Sequence, residues 1–206
     1  VAAVRNPYAQ LSAAQVWRKA VSGLPPSEID LVSSAPFQIN RRTAVTTAGS
    51  CFAQHISRQL RRRGFNCLLT EPAPAALSAA EAQHRNFAVY GARYGNIYTA
   101  RQLLQLLRRA RGEFAPAEAA WQRSDGRWAD PFRPEIEPAG FASLADLHAA
   151  RVQHLKAVRQ IFESVETFIF TLGLTEAWRS REDGAVFPLA PGTVARRLVM
   201  APGFGD

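Results

Sequence analysis

A chain of 206 residues, 47% hydrophobic and 20% charged, has the composition of an ordinary globular domain with a sizeable core. It contains no run of 18 apolar residues and no charged-then-apolar leader, which argues against a membrane span and points to the cytoplasm, although the sequence starts at Val1 rather than at a methionine. The net charge of +8 invites a nucleic-acid reading, but only Lys19 and Lys156 are lysines and the arginines are scattered without interleaved aromatics, so no specific nucleic-acid partner is expected.

Two cysteines, Cys51 and Cys67, make no disulfide framework, and the four histidines have no metal-ligand spacing, so neither a metal nor a cofactor is expected. Along the chain, residues 7–22 carry apolar residues at helical spacing until Leu24-Pro25-Pro26 breaks the pattern. Residues 43–48, rich in β-branched side chains, read as a first buried strand that stops at Gly49. From Phe52 the period becomes helical, with Phe52, Ala53, Ile56 and Leu60 on one face and Gly64 as the stop signal. Residues 65–70 read as a second strand, and 71–86 as loop with a short helix. Residues 98–111 form an amphipathic helix that Thr99 can cap. An irregular insertion over 112–142 has a hairpin signal at Asp125-Gly126. A long helix over 143–163 is expected to bury Leu144, Leu147, Val152, Leu155, Val158 and Phe162, with its histidines on the surface. Residues 165–172 read as a central strand ending at Gly173. This order argues for an α/β fold with a parallel sheet, whose ligand sites lie at the carboxyl ends of the strands, here Gly49–Cys51 and Gly173–Glu176.

The first of these ends carries chemistry. Gly49 permits a tight strand-to-helix turn, and a nucleophile just after it sits at a helix N-terminus, where backbone N–H groups stabilise negative charge on the attacking atom or on an oxyanion. The bland reading is that Ser50 caps the helix and Cys51 is a small buried residue.

Gly49-Ser50-Cys51-Phe52-Ala53 is the string that names the GSCFA family, and the flanking motifs fit it too: Asn6-Pro7-Tyr8, Arg93-Tyr94-Gly95-Asn96-Ile97-Tyr98, Asp130-Pro131-Phe132-Arg133-Pro134 and Phe170-Thr171-Leu172-Gly173. The chain therefore resembles a single GSCFA domain, with 1–40 as an N-terminal arm, the likeness running to about residue 195 and an atypical tail over 196–206. The resemblance implies a three-layer α/β/α fold of the SGNH (GDSL-type) hydrolase kind, incomplete at its C-terminus. It also implies an ester hydrolase or O-acyltransferase acting on a small-molecule or glycan ester. In that superfamily a Gly-Asp-Ser block carries the nucleophile; laid on Gly49-Ser50-Cys51 it favours Cys51 over Ser50. A glycine of the second block donates an N–H to the oxyanion, a role that falls on Gly95. The third block, Gly-x-Asn-Asp, falls on Gly173, Leu174, Thr175 and Glu176; Thr175 lacks the amide, so Asn96 is the replacement donor, oriented by Thr175. The fourth block, Asp-x-x-His, occurs nowhere after Gly173. That absence leaves His55, four residues after Cys51 on the same helical face, as the candidate base. It also makes a non-catalytic fragment or pseudoenzyme the alternative. A sheet cut short in this way is expected to self-associate through its unpaired edge.

Overall fold

The computed structural model describes residues 6–30 and 35–194; the expected tail over 196–206 lies outside them. The chain divides into two compact units, residues 1–39 and 40–206.

In the first unit the helix expected over 7–22 is replaced by a 3-10 turn at Ala13–Gln15, a four-residue helix α1 (Trp17–Ala20) and a second 3-10 turn at Pro26–Glu28. Ser12 and Gln15 form a capping box on the first turn, but β-branched Val16 is extended (φ −115°, ψ 108°) and interrupts the helix after it. Trp17 is exposed and only Ala20 is buried, so too little apolar surface is covered to hold a longer helix together.

The second unit is mixed α/β. Strand β1 (Val45–Ala48) pairs in parallel with β4 (Thr167–Phe170), in the register Val45 to Thr167 through Ala48 to Phe170. Every β1 residue is buried, as expected of a parallel strand covered on both faces. On the other edge of β1 the strand expected at 65–70 shrinks to one bridge between Val45 and Cys67. The segment then turns away, because Thr70 N–H donates to Gly91 O (2.8 Å). Strand β4, expected as central, has no strand partner on its outer edge among the described residues. Its side chains are half-buried, and Leu172, Leu174 and Trp178 just beyond it are exposed.

Helix α2 (Cys51–Arg62) follows β1 directly and packs on it. Its buried residues are Ala53 and Ser57, whereas Phe52, expected on the core face, is 64% exposed. Small Ala53 allows the close approach, and its carbonyl accepts from Thr47 Oγ1 at 3.2 Å. Arg61 is structural as well as basic: its guanidinium donates to the carbonyls of Ala88 and Tyr90. Helix α3 (Ala79–His84) is capped by Ser78, and α4 (Ala100–Ala110) by Thr99, whose hydroxyl accepts from Gln102 N–H. Helix α5 (Leu144–Ser164) packs on α4 and buries Leu147, His154, Ala157, Val158 and Ile161. Val152 and Leu144 face outward, and His154 takes the core position, which corrects its expected surface placement.

The expected hairpin pairs β2 (Trp121–Gln122) with β3 (Trp128–Ala129) around Asp125-Gly126. A second hairpin, β5 (Trp178–Arg179) with β6 (Val186–Phe187), was not expected. Gln105 on α4 clamps it at both ends of one amide, Nε2 donating to Gly184 O and Oε1 accepting from Val186 N–H, each at 2.8 Å. No described helix is long and apolar enough to cross a membrane.

Candidate active site

Three separate stretches of sequence meet at the carboxyl end of β1. Gly49 has φ +144°, and a Cβ there would lie 2.0 Å from Thr171 Oγ1, so only glycine lets β1 and the end of β4 close on each other at this turn. Gly49 O then accepts from Ile97 N–H (2.9 Å), which draws in the Gly95–Tyr98 stretch. Tyr98 O in turn accepts from the N–H groups of Gly173 (3.2 Å) and Leu174 (3.1 Å). A Cβ on Gly173 would be 3.8 Å from Ser50 Oγ, so the third stretch stands against the elbow itself.

The bland reading of Ser50 does not hold: Ser50 occupies the N-cap of α2, but its side chain makes no cap hydrogen bond. Ala53 N–H donates to Ser50 O (3.0 Å), but the N–H groups of Cys51 and Phe52 have no acceptor among the described residues and remain open at the start of the helix. Cys51 is the first helical residue and its side chain is exposed, not buried. It lies three residues before Gln54, on the same helical side, and close enough to act electrostatically on the Tyr90 hydroxyl.

Gln54, Tyr90 and Tyr98 form a cage around Asn96. Asn96 Oδ1 is 3.0 Å from Gln54 Nε2 and 2.9 Å from Tyr90 OH, and Asn96 Nδ2 donates to Tyr98 OH at 3.2 Å. Tyr90 OH also lies 2.9 Å from Ser50 O and 3.0 Å from Gly49 O, so its single proton is shared among these two elbow carbonyls and Asn96 Oδ1. Burial pushes that hydroxyl up to about 12, which keeps it a donor at neutral pH. The amide of Asn96 is thus locked, with its second N–H lacking an acceptor among the described residues. Gly95 (φ +70°) makes the turn that presents it, and the Gly95 N–H likewise has no acceptor among those residues. Gln54, Tyr90, Gly95, Asn96 and Tyr98 line one cavity of about 60 Å³, closed on a further side by Pro188.

Other expected members stand apart. Thr175 is exposed and does not orient Asn96; the cage of Gln54 and two tyrosines does that. Glu176 is exposed and lines a different cleft, with Tyr98, Leu174, Trp178 and Pro188. Among the described residues no helix starts after Gly173; the chain bends at Thr175 and continues into β5. His55 is exposed, and no described carboxylate pairs with it. No group of three or more described His, Cys, Asp or Glu residues could hold a metal.

Behind the cage lies a buried ionic network that the sequence did not reveal. Glu71 pairs with His154 Nδ1 (2.8 Å) and accepts from Arg93 N–H (2.8 Å), while Arg133 stands 3.7 Å away. Asp130, fully buried, binds Arg133 (3.0 Å) and Arg151 (3.2 Å), and Glu137 binds Arg93 (2.7 Å) and Arg85 (2.8 Å). Burial, reinforced by Arg133, holds His154 down to about 4 against the opposing pull of Glu71. His154 is therefore neutral in the folded chain and titrates near 6.5 when unfolded. Between these values the unfolded chain binds a proton the folded one refuses, so stability falls as pH drops from about 6.5 to about 4, by at most ~1.4 kcal/mol per pH unit from this group. Thermal unfolding across that window should show the decline, reduced in His154→Gln; a flat wild-type profile would contradict the neutral, buried imidazole.

A family model described as the GSCFA family matches residues 44–201, beginning at the residue before β1. No curated protein and no solved structure matches the chain.

Proposed function

The chain belongs to the GSCFA family, and from that premise we propose that it carries an acyl-transfer site of the SGNH type, within a three-layer α/β/α arrangement, that takes the acyl group of a carbohydrate-like or other polar ester onto Cys51. One observation carries this reading: Gly49–Cys51, Gly95–Tyr98 and Gly173–Leu174 are tied together by backbone hydrogen bonds around an uncapped helix N-terminus. The thiolate of Cys51 attacks the ester carbonyl, and the C–O bond to the alcohol breaks. The resulting thioester passes its acyl group to water or to a second hydroxyl. Negative charge on the tetrahedral oxygen meets the open first-turn N–H groups, the Gly95 N–H and the free amide hydrogen of Asn96. His55 is the base this chain offers for the thiol proton. A second reading, a cleft that binds such an ester without turning it over, draws on the lack of any described carboxylate to orient His55.

Acyl trapping separates the two. p-Nitrophenolate leaves as a stable anion and needs no general acid, so p-nitrophenyl acetate should acetylate Cys51 in a single turnover even where later steps are slow. The adduct, located by peptide mass spectrometry, should be removed by neutral hydroxylamine, as a thioester is and an acetyl-lysine is not. Cys67 serves as internal control, because burial pushes its thiol up despite the nearby Arg61. Acetylation of Cys67 at the same rate, or no adduct on Cys51, would overturn the proposal.

A further inference from the structure

Asn96 and Arg133, which both border the candidate active site, also line a second cavity of about 30 Å³ whose remaining walls include Arg109, Gln102, His154 and Phe132. The two permanently charged residues facing it are both cations, and no carboxylate lines it. Arg133 is 3% exposed; its Nε is committed to Asp130 and its Nη1 to Arg93 O (3.3 Å), but Nη2 is buried with no hydrogen-bond partner. Arg109 is 7% exposed and makes no ion pair among the described residues; its guanidinium stacks 3.9 Å from the Phe132 ring centroid.

The surroundings do not neutralise this charge. Leaving out Arg85, whose side chain is 37% exposed, the network holds four guanidinium groups (Arg93, Arg109, Arg133, Arg151) against three carboxylates (Glu71, Asp130, Glu137), an excess of one positive charge. The oxygens of Asp130 already accept from Arg133, Arg151 and the Phe132 N–H. A water molecule in the cavity would satisfy Arg133 Nη2 but leave the charge excess in a desolvated site, where uncompensated charge is costly.

We propose that this cavity is a binding site for a small monovalent inorganic anion such as chloride, held between Arg133 Nη2 and the Arg109 guanidinium. Its volume admits one or two species of water size. The anion completes the ionic network behind Asn96 and so steadies the wall of the neighbouring site without taking part in acyl transfer.

Bromide is the probe. Crystals soaked in sodium bromide should show an anomalous peak within hydrogen-bond distance of Arg133 Nη2. In solution, bromide or chloride should raise Tm saturably, by about 3 °C at tenfold excess over Kd, while gluconate at equal ionic strength should not. Arg109→Gln should abolish the halide-specific rise. If that variant does not fold, the wild-type crystal and titration decide alone. Water density without an anomalous signal, together with equal Tm in halide and gluconate, would overturn the proposal. Acylation of Cys51 is not read in either arm, so its failure would leave this result standing.

Discussion

Replacing Cys51 with alanine is expected to slow single-turnover acylation by p-nitrophenyl acetate by at least about 10³-fold while moving Tm by no more than about 2 °C. The two halves of this expectation come from the same place in the fold. The Cys51 side chain is exposed and lies in the first turn of α2, ahead of the buried Ala53 and Ser57 that hold the helix on β1. On the proposed mechanism, deleting the sulfur therefore removes the nucleophile and almost no packing. With Cys51 as the proposed nucleophile, Ser50→Ala should lose less than about tenfold, because the Ser50 hydroxyl caps nothing; the reverse pattern between the two variants would move the nucleophile to Ser50. His55→Ala should lower the rate by about 10²–10⁴-fold and change its pH profile if the imidazole takes the thiol proton. A rate unchanged by that substitution would assign the proton to water and favour the binding reading for any unactivated ester.

Much of the scaffold for this site was legible in the chain. The β-branched run before Gly49, the helical period after it and the Thr99 cap of α4 are local signals, and each element formed within a residue or two of its expected place. What failed was the part that depends on partners distant in sequence. The 65–70 segment has strand composition, but its later donors go to Gly91 rather than to β1. Residues 7–22 have helical spacing, but no surface there covers them well enough to fix one helix. The β5–β6 hairpin carried a readable sign in Asp183-Gly184, the same dipeptide type that marked the turn at 125–126; its clamp, Gln105, is 79 residues away from one contact and carries no local signature. In the site, the elbow could be read because strand, glycine and helix are consecutive. The cage could not: Gln54, Tyr90 and Tyr98 are common residue types whose meaning arises only when Asn96 is placed among them. The same holds for His154, which alternates with exposed neighbours on α5 and becomes a core residue only through Glu71.

The motif Asp130-Pro131-Phe132-Arg133-Pro134 was legible as a string without its physics, and the physics supplies the largest stability effect expected here. Asp130→Ala should lose about 3–5 kcal/mol, a Tm fall of roughly 10 °C. Burial alone would raise this carboxyl, but Arg133, Arg151 and Arg109 outweigh it and hold the group well below the usual carboxylate range. It is therefore ionised at neutral pH, and its deletion takes the nearest counter-charge from buried Arg133, leaving Glu71 at 3.7 Å, and the carboxylate partner from half-buried Arg151. Asp130→Asn should lose much of the same stability despite keeping the side chain's shape and an oxygen for the Phe132 N–H (3.1 Å), because the missing quantity is charge. Adding Arg151→Ala to Asp130→Ala should cost less than the two single changes combined, with a coupling of about 0.5–3 kcal/mol. Strict additivity would show that Asp130 and Arg151 do not act as a pair. The acid sensitivity contributed by His154 should persist in Asp130→Ala, since the imidazole is held neutral chiefly by its own burial and by Arg133. A loss of stability that vanishes at neutral pH and appears only in acid would instead place the effect on a carboxyl that titrates, and Asp130 could not be that group.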